Sequence, residues 1–398
     1  QYGYRQKHST QDASIELLKD ILEANENKKY TIAVFCDMSK AFDTINHKHV
    51  LHKLEKYGVR GHAHKLLENY LQNRQQSVKY KNTISQPYQI NDGTPQGSVL
   101  GPLLFLILMN DIKNSLPKTN HGHDLVKCIN FVDDTTIYYH SDSISELYDI
   151  MNISLSHITD WMKANKLFFN IKKTKYMIFK LNHRNPIVYQ DLTLGDESIE
   201  RVEHMKFLGI HFDEKLNWHI HIQELLNTIK KSKYVFRQCQ YLNSFSKYKL
   251  YMSYVNSHLI YGIALWGPML TDTQKGLLKN MLKSIIKQSN ILECHSEKIL
   301  TLEQVITLSQ LEYIYKTMHQ LNPIQSRITL QIGQSRRKPK NLILPRYNSE
   351  LYHKSLFHSS IILWNNLDDK AQNSSSIYSL RNKYKKMYKN IDLTVTNR

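Results

Sequence analysis

The chain is poor in the residues that build stapled or repetitive folds. Its 398 residues hold four cysteines (Cys36, Cys128, Cys239 and Cys294), with no Cys-x-x-Cys pair and no Cys/His cluster at zinc-ligand spacing. That excludes a disulfide framework and a zinc knuckle, and it points to a reducing compartment. With only 9 prolines and 13 glycines, collagen-like and low-complexity classes are excluded too. The longest apolar run, Val99 to Met109, falls short of the roughly 20 residues that cross a bilayer. No secretory or transit segment opens the chain. Acidic residues are also scarce: 35 Asp and Glu face 53 Lys and Arg, a net charge of +18. Such an excess attracts polyanions, most commonly nucleic acid, although an anionic membrane surface would attract it as well. The chain begins with Gln1 rather than Met, so a fragment with an unseen upstream part is expected.

At about 150 residues per domain, the length suggests two or three folded units. Apolar residues at helical spacing predict a helix over 12–24 (Ile15, Leu18, Ile21, Leu22), followed by a buried strand, TIAVFCDMS, that ends at Asp37. Helices follow around Val50 to Tyr57 and Leu66 to Leu71. Next come the turn NDGTPQGS and a stretch from Val99 to Ile112 that is apolar nearly all round, expected as a buried helix. KCINF and TTIYY flank Val132, Asp133 and Asp134 and read as a hairpin with two carboxylates at its tip. A long amphipathic helix (143–164), a strand KYMIFK, a hairpin near Gly195 and a strand HMKFLGIHF complete a first half that reads as α+β, an antiparallel sheet with helices on one face. From about residue 216 the pattern is helical. The last 68 residues, 331–398, carry 13 Lys or Arg against 4 Asp or Glu, half of the whole excess. The KYKKMYK run within them, with Lys383, Lys385 and Lys386, reads equally as a nucleic-acid-binding segment with stacking tyrosines and as a solvated basic helix.

Asp37, Asp133 and Asp134 each sit where a strand ends or turns. Taken singly, such an Asp is more often a turn residue or a cap. Together, three unpaired carboxylates on neighbouring strand tips repel one another by several kcal/mol unless a cation neutralises them. Hard oxygen ligands of this kind suit Mg²⁺, and two such ions would activate an attacking hydroxyl and stabilise a leaving oxygen.

The motifs FCDMSKAFDTINH, GTPQGSVLGPLLFLILMNDI, FVDD, NKLFFNIKKTKYMIF and KFLGIHFD stand in that order. In them the chain resembles the reverse transcriptase of non-LTR, LINE-type retrotransposons of the jockey-like kind. QYGYRQKHST resembles the end of the fingers region, and YGIALWG and LWNNL resemble segments beyond the polymerase core. The resemblance implies a right-hand polymerase: partial fingers (1–30), a palm with inserted fingers-side helices and a primer-grip hairpin (31–215), a helical thumb (216–330) and a basic C-terminal extension (331–398). It implies RNA-directed DNA polymerisation, in which dNTPs are added to a primer 3′-hydroxyl on an RNA template. The implied partners are the element RNA and a DNA primer or target, with no membrane. The implied setting is intracellular, in the cytoplasm as a ribonucleoprotein and in the nucleus at integration. The alternative is a non-catalytic nucleic-acid-binding relic of the fold.

Residue by residue, Asp37, Asp133 and Asp134 would hold two Mg²⁺ ions, with Mn²⁺ as a substitute. Phe42, five residues past Asp37, would be the aromatic that leaves no room for a ribose 2′-hydroxyl; its plainer reading is a core residue of the following helix. Asp43 reads as structural. Gln96 and Gly97 would touch the incoming nucleotide, the amide by hydrogen bonds and the glycine by close backbone approach, although the turn alone also accounts for Gly97. Lys175 reads equally as a proton donor to leaving pyrophosphate and, with Lys172 and Lys173, as a solvated edge. Leu208 and Gly209 would hold the primer end, and Arg5 would meet phosphate or template. Val132 stands where the family usually has Ala, an exchange expected to matter little. No endonuclease segment is recognisable.

Overall fold

The computed structural model describes residues 1–95, 97–181, 188–291, 299–323, 328–331 and 341–387. Two compact units emerge: residues 1–10 with 28–203, and residues 11–27 with 204–398. The first helix, α1 (Thr10–Glu26), falls almost wholly in the second unit.

The first unit is organised by β1 (Tyr30–Cys36), whose seven residues are all buried. After it come α2 (His47–Lys56), α3 (Gly61–Leu71), the short strands β2 (Arg74–Gln76), β3 (Lys79–Tyr80), β4 (Thr83–Ile84) and β5 (Tyr88–Ile90), and α4 (Leu100–Met109). Then follow β6 (Lys127–Phe131), β7 (Asp134–Ser141), α5 (Ile144–Ala164), β8 (Lys175–Phe179), β9 (Leu192–Leu194) and β10 (Glu197–Arg201). The main sheet has the order β6-β7-β1-β8-β10-β9. Its strands pair antiparallel except β8 with β10, which run parallel because the β9–β10 hairpin folds back outside β8.

Alternation along β1 sends Ile32, Val34 and Cys36 into one core. There they share burial with Leu104, Phe105 and Leu108 of α4 and with Leu147, Met151, Leu155, Ile158 and Met162 of α5. The spacing of the α5 residues is the apolar stripe read from the sequence. Ser143 caps α5, and Glu146 in its first turn accepts a hydrogen bond from the Tyr139 hydroxyl at 2.8 Å. The stretch expected to be buried all round is buried on one side only: Val99 is 92% and Leu103 52% exposed, whereas Leu104, Phe105, Leu108 and Met109 are buried. A helix on the flank of a layer covers the core with one stripe, whatever its opposite side carries.

After α1 the second unit continues with HMKFLGIHF, which is not one strand but a hairpin, β11 (His204–Phe207) and β12 (Ile210–Asp213), turning at Leu208–Gly209. Then come α6 (His219–Gln238), α7 (Ser244–Tyr251), a π-helical turn (Met252–Asn256), α8 (Ser257–Ile260), α9 (Ile263–Trp266) and α10 (Asp272–Ser289). They are followed by α11 (Leu302–Met318), α12 (Glu350–Lys354), α13 (Leu356–Asn365), α14 (Asp369–Gln372) and α15 (Ile377–Met387). Capping boxes at Thr271/Gln274 and Thr301/Gln304 start α10 and α11. No helix among the described residues is long and apolar enough to cross a membrane.

The basic stretch after residue 330, expected as an extension, is folded where it is described. Leu356, Phe357, Ile361, Trp364, Leu380 and Tyr384 are fully or almost fully buried, and Arg381 is bound by both oxygens of Glu312 on α11. Apolar residues at helical spacing inside a charge-rich stretch outweigh its net charge in deciding whether it packs. Replacing Trp364 by Ala should therefore cost about 3–5 kcal/mol of stability, read as a clear fall in the thermal or denaturant midpoint. An unchanged midpoint would mean that these helices lie outside the folded unit.

Candidate active site

The site is set by strand register. β1 pairs with β7 as far as Cys36 opposite Thr135, so the next step places Asp37 across from Asp134, the first residue of β7. β6 and β7 are joined through Val132 and Asp133, with Phe131 opposite Asp134. All three expected carboxylates thus lie at one edge of the sheet. On the other side β1 pairs with β8 as far as Phe35 opposite Lys175, a register that continues to Asp37 opposite Lys173. Lys173 Nζ indeed lies 3.4 Å from Asp37 Oδ2. Lys175, two residues along, is ion-paired instead with Glu200 of β10. Hence Lys173, and not Lys175, is the lysine that meets the carboxylates.

The segment ahead of β8 also braces β1. Asn170 N donates to the Asp37 carbonyl at 2.8 Å, Ser39 N donates to the Phe168 carbonyl at 3.0 Å, and Asp37 N donates to Thr174 Oγ1 at 3.4 Å. A second brace comes from the first residues of the chain. Val132 has φ 59°, in the left-handed region that a β-branched residue occupies at a cost of roughly 1–3 kcal/mol. Its N–H donates to Gln1 Oε1 at 3.2 Å, and Tyr2 N donates to the Asn130 carbonyl at 2.8 Å. Gly3 lies so close that a Cβ there would come within 2.4 Å of Val132 Cγ2 and 2.9 Å of its backbone nitrogen. Val132 is thus less incidental than its chemistry suggested, because its turn is strained and held from outside.

The turn after β5 is tied to the segment after β1. Gly93 N donates to the Ile45 carbonyl (2.7 Å), Thr94 N to the Phe42 carbonyl (3.0 Å), His47 Nε2 to the Gly93 carbonyl (2.7 Å) and Asn46 Nδ2 to Asp92 Oδ1 (2.7 Å). A Cβ on Gly93 would sit 2.8 Å from the Asp43 carbonyl oxygen, so this contact requires glycine. Gly97 has φ +81° with open space around it, so only its backbone angle demands glycine. Gln96 lies outside the described residues. Phe42 is half-buried with its ring 5.0 Å from that of Phe105 on α4, which backs it.

Electrostatically the edge is strained. Asp134 is exposed as a residue, yet its carboxyl is pushed up to about 6, first by lost hydration where protein crowds it, then by repulsion from Asp133 and Asp37. Among the described residues no group of three His, Cys, Asp or Glu side chains is assembled to hold a metal ion. The three aspartates are neighbours coupled by charge, not a closed cage, and Lys173 engages one oxygen of Asp37. The donor set nevertheless fits a divalent cation: its oxygens are the hard ligands Mg²⁺ and Mn²⁺ prefer, and added positive charge relieves the repulsion on Asp134.

The remaining candidates have the following surroundings. Arg5 is exposed, its guanidinium 3.4 Å from the Gln1 carbonyl. Leu208 and Gly209 form the hairpin turn of the second unit. On α15, Lys383 Nζ donates to the Lys370 carbonyl at 2.5 Å, while Lys385 and Lys386 are exposed. Gly3, Gly93, Asn46, His47 and Lys173 were not singled out as site residues from sequence. Their common signal was membership of motifs already recognised.

Two outcomes follow. Gly3→Ala should displace the Val132 turn and lower the melting temperature of the first unit; Gly3 is not among the glycines at positive φ, so the loss reports the close contact with Val132, and an unchanged melting temperature would deny the packing role of Gly3. For Asp134, a folded-state pKa above the unfolded value means that the native chain binds the extra proton, so stability falls as pH rises from about 4 to 6. Asp134→Asn removes that loss. Its melting temperature should exceed wild type by roughly 2–4 °C at pH 7.5 and match it near pH 4; a variant less stable than wild type at pH 7.5 would contradict the raised Asp134 carboxyl.

Residues 1–212 match the family described as reverse transcriptase (RNA-dependent DNA polymerase). The chain is 30% identical over 279 residues to a probable RNA-directed DNA polymerase from transposon BS of Drosophila melanogaster, an alignment covering 67% of this chain and 30% of that protein. It is 26% identical over 271 residues to the RNA-directed DNA polymerase from mobile element jockey of the same organism, covering 67% and 29%. The chain thus spans less than a third of the length of these relatives. Among solved structures, telomerase from Candida albicans in complex with a telomeric RNA fragment aligns at 14% identity and TM-score 0.38, over 73% of this chain and 52% of that one. With its carboxylate-bearing strands inside the matched region, the chain belongs to the reverse transcriptase family, on the branch of the non-LTR retrotransposons.

Proposed function

We propose that the chain carries the polymerising core of an RNA-directed DNA polymerase, joining a deoxynucleoside triphosphate to a primer 3′-hydroxyl on an RNA template and releasing pyrophosphate. The observation that supports this most directly is the register that aligns Asp37 with Asp134 beside Asp133 at one sheet edge, where lost hydration and then repulsion from its two neighbours raise the Asp134 carboxyl. In this reading the sheet of the first unit belongs to the palm, residues 1–30 are the partial fingers, and the helices over 216–330 are the thumb.

Asp37, Asp133 and Asp134 would hold the divalent ions, Mg²⁺ or Mn²⁺, which when bound supply Lewis acidity to the attacking and leaving oxygens. Phe42, backed by Phe105, presents a ring that excludes a 2′-hydroxyl and so selects deoxynucleotides. Gln96 and Gly97 would contact the incoming nucleotide. Lys173, beside Asp37, takes the role of ammonium near the triphosphate that was expected of Lys175, which Glu200 holds elsewhere. Leu208 and Gly209 would seat the primer end. Arg5, Lys383, Lys385 and Lys386 would meet phosphates, giving salt-sensitive binding that follows the shape of an RNA–DNA hybrid rather than base edges.

A second reading, a nucleic-acid-binding relic without catalysis, draws on the fact that the described residues assemble no three-ligand metal cage. Primer extension on poly-rA with Mg²⁺ separates the two. Wild type should extend the primer. Asp133→Asn should lose about 10³-fold in rate, the equivalent of several kcal/mol of transition-state stabilisation, while keeping salt-dependent template binding. Phe42→Val should admit ribonucleotides roughly 10–200-fold better, the range set by one apolar contact. Binding without extension by wild type would favour the relic, and full activity in Asp133→Asn would exclude the proposed chemistry.

A further inference from the structure

The YGIALWG segment, residues 261–267, has no part in the chemistry above, yet it packs on the turn assigned to the primer. Phe207 pairs with Ile210, leaving a two-residue loop of Leu208 (φ 45°) and Gly209 (φ 86°). A loop with both central residues at positive φ has the type I′ turn geometry, which Asn-Gly, Asp-Gly or Gly-Gly adopts readily and a branched apolar residue at its first position does not. Local sequence therefore does not account for the turn, and contacts from outside must.

Those contacts come from 53 residues further on. The Tyr261 hydroxyl donates to the Leu208 carbonyl at 2.6 Å. The Tyr261 ring lies against Gly209, where a Cβ would sit 3.0 Å from Cε1. Ile210 fills the space beside Gly262, where a Cβ would meet its Cδ1 at 2.5 Å. Gly262 itself has φ 64° and lets the chain turn from α8 into α9. Trp266, fully buried, donates its indole N–H to the Tyr261 carbonyl at 3.1 Å, so the tyrosine is anchored in turn. The second strand is tied as well, through His211 N donating to Nδ1 of the buried His221 at 3.4 Å.

We infer that Tyr261 is a positioning residue for primer placement: its hydroxyl holds the Leu208–Gly209 turn in its strained geometry, and the buried Trp266 holds Tyr261. The inference rests on the reading of that turn as the seat of the primer end, and it assigns the YGIALWG segment to the primer rather than to the nucleotide. Loss of one such hydrogen bond to a strained carbonyl loosens the turn without emptying the core, since the ring remains.

The test compares wild type, Tyr261→Phe and, as a control, Tyr254→Phe, whose hydroxyl is on an exposed residue. Amide hydrogen exchange over residues 204–213 should quicken in Tyr261→Phe only. Extension from a paired primer should fall about tenfold in kcat or rise about tenfold in primer–template KM, while the KM for dNTP stays within about twofold. The melting temperature should stay within about 2 °C of wild type. Unchanged exchange over 204–213, full extension by Tyr261→Phe, or a loss shared equally by dNTP KM would each overturn the inference. If wild type extends no primer, the proposed function fails, and the exchange comparison still decides whether Tyr261 holds the turn.

Discussion

Three carboxylates at one edge of a sheet repel one another, and the first unit is arranged to carry that repulsion. β1 is buried along its whole length and paired on both sides, so neither its end nor the β6–β7 turn can drift to separate Asp37 from Asp134. The same register sets Lys173 against Asp37, a single exposed ammonium that offsets part of the charge and, being exposed, contributes little stability by itself. The Asp134 carboxyl stays raised, by lost hydration first and by its two charged neighbours second. In the proposed function, a rigid scaffold that holds like charges together would give the cluster its affinity for a cation, because a softer one would relieve the repulsion by moving apart.

A second pattern recurs within each unit. In each, a tight hairpin turn carries a branched apolar residue at positive φ, Val132 in one and Leu208 in the other. Neither turn is favoured by its own sequence, and each is held by residues far off in the chain. Gln1 and Gly3 serve Val132; Tyr261 serves Leu208. Strain of this kind persists only where the surroundings over-determine it, and it fixes a side chain or carbonyl more tightly than a relaxed turn would. Gly3 beside Val132 and Gly262 beside Ile210 are explained by close approach, a Cβ coming within 2.4 Å and 2.5 Å of those side chains.

Much of this was legible from residues alone. Alternation in TIAVFCD and the flanking KCINF and TTIYY runs marked the strands that carry the aspartates, because period-two burial is written in composition. The apolar stripe of α5 was equally plain. What could not be read was anything that depends on partner identity. Lys173 and Lys175 are equivalent in sequence, and only the β1–β8 register sends one to Asp37 and the other to Glu200. The contact of Gly3 with Val132 spans nearly 130 positions, and no local pattern encodes it. The apolar richness of 99–112 concealed which side faced the core, and the net charge after residue 330 concealed that Phe357 and Trp364 are buried.

Everything rests on Asp37, Asp133 and Asp134 acting as one site for a divalent ion. Electron paramagnetic resonance of Mn²⁺ titrated into the chain at pH 7.5 measures this directly, with Asp37→Asn as the comparison because Asp37 reaches the cluster from a different strand than the other two. The account predicts bound Mn²⁺ in wild type and a large loss of binding in Asp37→Asn. Equal binding by both would contradict it, since the carboxylate on β1 would then be no part of the site.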